Sequence, residues 1–158
     1  MTDRAERPNR FPLPPAMLVG TLALCFLLDT YLPLGWEPEQ VGTLMRSTGW
    51  MLIILALALD VWAALTLRRH KTTIRPDRAA KHLVRSGPFR FSRNPIYLGN
   101  VMIVTGVGFA LGSRWFVIGA VVMFFLLQEL AIKREEQHLK ARFGADWDTY
   151  AAKTRRWI

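Results

Sequence analysis

Two short stretches of this sequence carry side chains whose types and spacing could do chemistry. The first is Ser92-Arg93-Asn94-Pro95-Ile96-Tyr97-Leu98-Gly99. It reads as a helix start: Asn94 suits the N-cap, and Pro95 suits the first helical position, where its missing N–H costs nothing. Free backbone N–H groups at such a start, with Arg90 and Arg93 alongside, suit an anion such as a carboxylate or phosphate. On local signals alone the same residues read more readily as a plain capped helix with snorkelling arginines. The second stretch runs from Lys133 to Gly144 and carries the adjacent Glu135 and Glu136. These carboxylates suit a polar or cationic ligand, or else pair with Arg134, Lys140 or Arg142 on a solvated helix face. At helical spacing Glu135, Leu139 and Phe143 share one face, and Glu129, Glu136 and Lys140 another. Beyond Gly144, Trp147, Tyr150 and Trp157 stand among Lys153, Arg155 and Arg156. That pattern suits a short segment lying on an interface or closing over a site.

The elements that must position these residues are apolar. Four runs, about 15–34, 47–67, 95–112 and 115–133, have cores of roughly 16–18 residues, and their flanks extend them toward the ~30 Å of a hydrocarbon layer. None shows the polar stripe of a surface helix in a soluble bundle. The expected fold is therefore all-α, a polytopic membrane protein with four transmembrane helices, a cytoplasmic connecting loop and a short C-terminal amphipathic helix. Its 158 residues suit a single domain, 1–158. After the fourth run no helix breaker occurs before Gly144, so one helix is predicted from about Trp115 to that glycine.

Charge placement gives the orientation. The chain holds 21 Lys and Arg against 12 Asp and Glu, a net +9. Arg4, Arg7 and Arg10 precede the first run, nine basic residues lie from Arg68 to Arg93, and seven from Lys133 to Arg156. Only Arg46 and Arg114 fall on the other side. The positive-inside rule then makes this an integral inner-membrane protein with both termini cytoplasmic. Trp36, Trp50 and Trp115 lie near the outer boundaries, as interfacial aromatics do. The N-terminal run reads as an uncleaved span, being longer than a signal-peptide core and lacking a cleavage site.

The basic surplus is thus a topology signal whose partner is the lipid bilayer, and no nucleic-acid-reading motif accompanies it. One cysteine, Cys25, and three scattered histidines give no disulfide framework and no metal-ligand spacing, so neither a metal nor a redox pair is expected. Asp29, Asp60 and Glu129 lie inside the apolar runs, where an ionisable group is costly and marks function or interhelical hydrogen bonding. Asp29 falls toward the outer end of its run. Asp60 and Glu129 fall toward the cytoplasmic side and could face one cavity. Gly99, Gly106, Gly108 and Gly112 read as sites of close helix packing.

Residues 83–158 resemble the integral-membrane methyltransferases, the family of isoprenylcysteine carboxyl methyltransferases and phosphatidylethanolamine N-methyltransferases. The likeness rests on Leu83-Val84-Arg85-Ser86-Gly87-Pro88-Phe89, then Arg93-Asn94-Pro95-Ile96-Tyr97-Leu98-Gly99, then Glu135-Glu136, Leu139, Phe143-Gly144, Trp147, Tyr150 and Arg156-Trp157 in matching order and spacing. Asn94 departs from the histidine of many members and cannot titrate, and the frequent final proline is missing. The resemblance implies S-adenosylmethionine as methyl donor, bound by residues 83–158 in a pocket open to the cytoplasm. Arg93, Asn94, Tyr97 and Gly99 would form one wall and Glu135 and Glu136 the other. Arg93 and Glu129 are the expected catalytic residues, Glu129 as an in-span base. Asp60, Arg90, Arg155 and Arg156 are expected at the acceptor. The acceptor itself is expected to be lipophilic, with a prenylcysteine-type carboxylate favoured over a phospholipid amine or a small thiol. A dinucleotide-using reductase of related fold has no feature in its favour. A non-catalytic membrane protein with a basic lipid-binding face gives no reason for the two motifs to occur together.

Overall fold

The computed structural model describes residues 13–35, 39–70 and 82–158. Arg4, Arg7, Arg10, Trp36 and the basic residues from Lys71 to Lys81 lie outside them. Among the described residues the chain is all-helical, with a single isolated β-bridge between Gly35 and Ser113. The helices are α1 (Leu13–Tyr31), α2 (Glu39–Arg69), α3 (Pro95–Leu111), α4 (Arg114–Leu127), α5 (Lys133–Phe143) and α6 (Ala145–Lys153). A π-helical turn, Gln128–Ile132, joins α4 to α5, and the Lys133 N–H reaches back five residues to the Gln128 carbonyl. The expected helix from Trp115 to Gly144 is therefore one rod of 30 residues, Arg114–Phe143, with this turn inside it.

Three helices are long and apolar enough to cross a membrane: Leu13–Tyr31, Gly42–Arg69 and Arg114–Phe143. The remaining expected span is a shorter apolar helix, the 17 residues of α3, about 25 Å at 1.5 Å per residue. It ends at Gly112, whose φ of +70° is the left-handed conformation that closes a helix. The sequence reading gave Gly112 a packing role, but nothing lies near the position its Cβ would take.

α3 packs along α2 on one side and α4 on the other, and α1 packs on α4. Two glycines allow the first contact. A Cβ on Gly49 would stand 2.6 Å from the Gly106 carbonyl oxygen, and one on Gly106 would stand 2.8 Å from that of Gly49. Gly49 gave no signal in the sequence. The centre of the bundle is filled by Val104, Phe116, Met123, Leu127 and Ile132. Phe26, Ile54, Leu57, Val61, Val122 and Phe125 point outward and are exposed. An apolar exterior this extensive suits lipid rather than water. At the end of the bundle away from α5, the Trp115 indole N–H donates to the Leu32 carbonyl (2.7 Å) and the Cys25 thiol to that of Trp115 (3.3 Å).

Candidate functional site

The opposite end of the bundle gathers most of the chemically capable side chains. After residue 82 the chain forms a single 3₁₀ turn, Gly87–Arg90, which starts at Gly87 with φ +60°. Gly87 is pressed on α2: a Cβ there would lie 2.6 Å from the Thr66 hydroxyl. Ser92, Arg93 and Asn94 then lead into α3. Asn94 holds the expected N-cap position with Pro95 following, but its side chain makes no capping hydrogen bond. Its amide donates instead to the Arg156 carbonyl at 2.9 Å.

That bond belongs to a longer seam. The Arg93 backbone N–H donates to the Arg155 carbonyl (3.0 Å), and the Ser92 hydroxyl reaches the Arg156 carbonyl (3.4 Å). The C-terminal segment, residues 154–158, thereby lies against the entrance of α3. Arg156 forks onto Glu136, its Nε donating to Oε1 (3.0 Å) and its Nη2 to Oε2 (2.6 Å). Arg93 approaches the same carboxylate from the other side, Nη1 to Oε1 at 3.2 Å. The Arg93 and Glu136 side chains are only 14% and 15% exposed, so solvent screens the pair poorly. Glu136 raises the pKa of the Arg156 guanidinium, and the Arg93 guanidinium also lies 5.6 Å above the Trp147 ring.

Neighbouring contacts fix the frame. The Tyr97 hydroxyl donates to Glu135 Oε2 at 2.8 Å, linking α3 to α5. The Tyr150 hydroxyl donates to the Phe89 carbonyl at 2.7 Å. Burial pushes the Tyr150 phenol up to about 12, against the opposing pull of Arg93 and Arg85. Trp157 stacks on Phe124 with ring centres 4.4 Å apart and donates to Gln128 Oε1. Beside Glu136 a pocket of about 310 Å³ is lined by Lys133, Glu136, Gln137, Lys140, Trp147 and Arg156.

Of the residues singled out in the sequence, Arg93, Asn94, Tyr97, Glu135, Glu136, Arg155 and Arg156 come together here. Glu135 and Glu136 do not pair with Arg134, Lys140 or Arg142 in the contacts described above; Glu136 takes two arginines from distant segments. Glu129 forms an exposed ion pair with Lys133 at 2.6 Å and feels the Arg156 guanidinium only through space. The π turn between the two glutamates breaks the regular spacing that put them on one face. Arg90 is exposed, its guanidinium 5.9 Å above the Phe91 ring. Asp60 of α2 packs against Gly99, and its Oδ1 is buried without a hydrogen-bond partner among the described residues. Trp147 and Trp157 entered the sequence reading as aromatics of a segment lying on an interface or closing over a site, and as part of the family motif, without partners assigned. Their contacts with Arg93, Phe124 and Gln128 depend on how the chain folds back, and no local spacing carries that.

A membrane-type helical bundle with one charged, partly buried cluster at the entrance of an apolar helix defines the class. The chain belongs to the phospholipid methyltransferase family, whose model matches residues 44–146. It is similar to the nickel-cobalt-cadmium resistance protein NccN of Alcaligenes xylosoxydans xylosoxydans, with 26% identity over 75% of this chain and 52% of that one. It is also similar to the cobalt-zinc-cadmium resistance protein CzcN of Cupriavidus metallidurans, with 27% identity over 75% of this chain and 51% of that one. An uncharacterized protein of Haemophilus influenzae is 29% identical over 40% of this chain and its own full length. The chain spans about half the length of NccN and CzcN. No solved structure shows a significant match.

Proposed function

We propose that this protein transfers a methyl group from S-adenosylmethionine to a lipophilic acceptor at the cytoplasmic face of the inner membrane. Family membership supports the reaction class. The observation that carries the reading is the joining of both sequence motifs, through Arg93–Glu136 and Tyr97–Glu135, at one end of an apolar bundle. A soluble donor and a membrane-dissolved acceptor must meet at such a boundary.

The side chains fit the donor's polar end. Arg93 Nε is a buried donor without a partner among the described residues, and a carboxylate satisfies such a group. Glu135 and Glu136 suit an ammonium or ribose hydroxyls, with Asn94, Tyr97 and Gly99 as the facing wall. When bound, the sulfonium supplies an electrophilic methyl carbon. The residues of this chain have the tasks of aligning the acceptor and excluding water, and no covalent enzyme intermediate is required. Trp147 and Trp157, folded over the cluster, suit the second task.

The acceptor enters from the bilayer. A prenylcysteine-type carboxylate would rely on Arg90 and Arg155, because Arg156 is committed to Glu136 and Arg93 is divided between Glu136 and the donor. A phospholipid amine or a small thiol needs no arginine. Calorimetry with purified protein in detergent tests the donor site: S-adenosylmethionine binds, and Arg93→Ala weakens it roughly ten- to a hundred-fold, the loss of one charge-assisted hydrogen bond. Unchanged affinity in that variant removes Arg93 from the site, and no binding to the wild-type chain removes the donor.

A further inference from the structure

The Glu136 carboxylate is nearly fully engaged. It has about four lone-pair positions, and Arg156 takes two of them, through Nε on Oε1 and Nη2 on Oε2. Arg93 Nη1 reaches Oε1 from the other side. An incoming ammonium would meet the same two oxygens as a third cation, repelled by both guanidiniums. One arginine has to give way. Arg93 is poorly placed to do so, since it is mostly buried and lies over the Trp147 ring at the entrance of α3. Arg156 is more exposed and lines the pocket of about 310 Å³ beside Glu136. A second carboxylate lies within its range. Lys133, which lines the same pocket, holds Glu129 at 2.6 Å. Trp157, the residue after Arg156, donates to Gln128 Oε1 at 3.2 Å, next to Glu129 in the π turn. Arg156 and Glu129 thus sense each other electrostatically while the guanidinium stays forked on Glu136.

We propose that Arg156 is a two-position gate on the donor site: on Glu136 it stands where the donor's ammonium would, and it moves to Glu129 when that ammonium takes Glu136. The inference rests on the methyl-transfer reading and concerns how that site admits its donor. Arg156 and Glu129 are positioning residues in this arrangement, because both act through Glu136. The donor's amino-acid end is a zwitterion. Arg93 Nε, buried and unpartnered among the described residues, and a freed Glu136 make a matching pair for it. Arg156 loses no counter-charge in the exchange, since it leaves one carboxylate for a more exposed one and Lys133 turns to solvent. The exchange is a two-state equilibrium, and apparent donor affinity is reduced by the fraction of molecules in which Glu136 is free.

The test is calorimetry of S-adenosylmethionine on the full chain in detergent, with thermal unfolding alongside. Arg156→Gln frees Glu136 and tightens donor binding about tenfold, the gain expected where about a tenth of the molecules are competent. The same variant unfolds at a lower temperature, whereas a merely structural Arg156 would lower stability and affinity together. Arg156→Lys, which keeps a cation but cannot fork, gives a smaller gain and serves if the glutamine variant does not fold. Glu129→Gln removes the second position and weakens donor binding several-fold. Added to Arg156→Gln it changes nothing further, a coupling that independent sites do not show. Adenosine, which has no amino-acid end, binds wild type and Arg156→Gln alike. Equal or weaker donor binding in both Arg156 variants overturns the proposal, as does a Glu129→Gln effect that persists in the double variant. An equal gain for adenosine also overturns it. If neither wild type nor the Arg156 variants bind S-adenosylmethionine, the methyl-transfer reading itself fails, and the gate with it.

Discussion

Removing either partner of the Glu136–Arg156 fork has an effect that can be worked from the geometry. Arg156 makes two charge-assisted bonds to Glu136, at 3.0 and 2.6 Å, and Arg93 adds a third contact at 3.2 Å. An exposed pair of this kind is worth about 0–1 kcal/mol, and breaking a fully buried one costs about 3–5 kcal/mol. The Arg156 side chain is 32% exposed and that of Glu136 15%, so the fork falls between these limits. Glu136→Gln is therefore expected to lower stability by about 2 kcal/mol. Arg156→Ala costs less, because Glu136 keeps Arg93. The coupling between the two changes should be about 1–2 kcal/mol. The measurement is a double-mutant cycle on thermal unfolding in one detergent, with limited proteolysis near the C-terminus as a second readout. Both single variants should expose the segment from Thr154 onward to cleavage. Strict additivity, with a coupling under about 0.3 kcal/mol, would refute the reasoning that this fork holds the C-terminal segment down.

Gly49→Ala should destabilise the bundle by about 1–3 kcal/mol, the usual cost of overpacking, because the new methyl meets α3 backbone rather than a movable side chain; an unchanged melting temperature would contradict the packing described. Tyr150 gives a pH dependence whose sign is fixed. Its folded pKa is raised to about 12 from an ordinary 10.0, so the folded chain holds the proton more tightly than the unfolded one. Stability from this group is complete below pH 10 and declines between 10 and 12, and a Tyr150→Phe variant should lose that decline in pH-dependent melting curves. Single-cysteine labelling on a Cys25→Ser background checks the orientation. Position 148 should resist an impermeant reagent applied to the periplasmic side of intact cells, and labelling there would reverse the topology.

Much of this arrangement was legible in the residues because it depends on local pattern. Apolar runs gave the helices, Asn94-Pro95 gave the start of α3, and Gly144 gave the end of α5. The partners of the charged side chains were not legible. Arg156 lies 20 positions from Glu136 and more than 60 from Asn94, and only the return of the chain after α6 brings them together. A periodic reading also runs on one residue per 100°, and it fails where the backbone departs from that rule, as between Glu129 and Glu136. Glycines divide the same way. Gly99 and Gly106 do lie at close contacts, while Gly49, which faces Gly106 from α2, sits in a mixed polar stretch with nothing local to mark it.

The π turn at Gln128–Ile132 sets the angular phase of everything beyond it. One extra residue in that turn rotates α5 about its axis by roughly 100° relative to an uninterrupted helix. Glu135 and Glu136 face Tyr97 and Arg93 in the rotated phase. The apolar half of the rod and its charged half are thus indexed separately: α4 presents Phe116, Ala120, Met123 and Leu127 to the bundle, and α5 presents its carboxylates on a bearing that α4 does not dictate. Winding the same five residues as ordinary α-helix would swing both glutamates away from α3, whereas deleting one of them as the turn relaxes to α winding would leave their bearing as it is. The aim of the acidic pair is therefore set by the winding of a five-residue segment that contains neither glutamate of the pair.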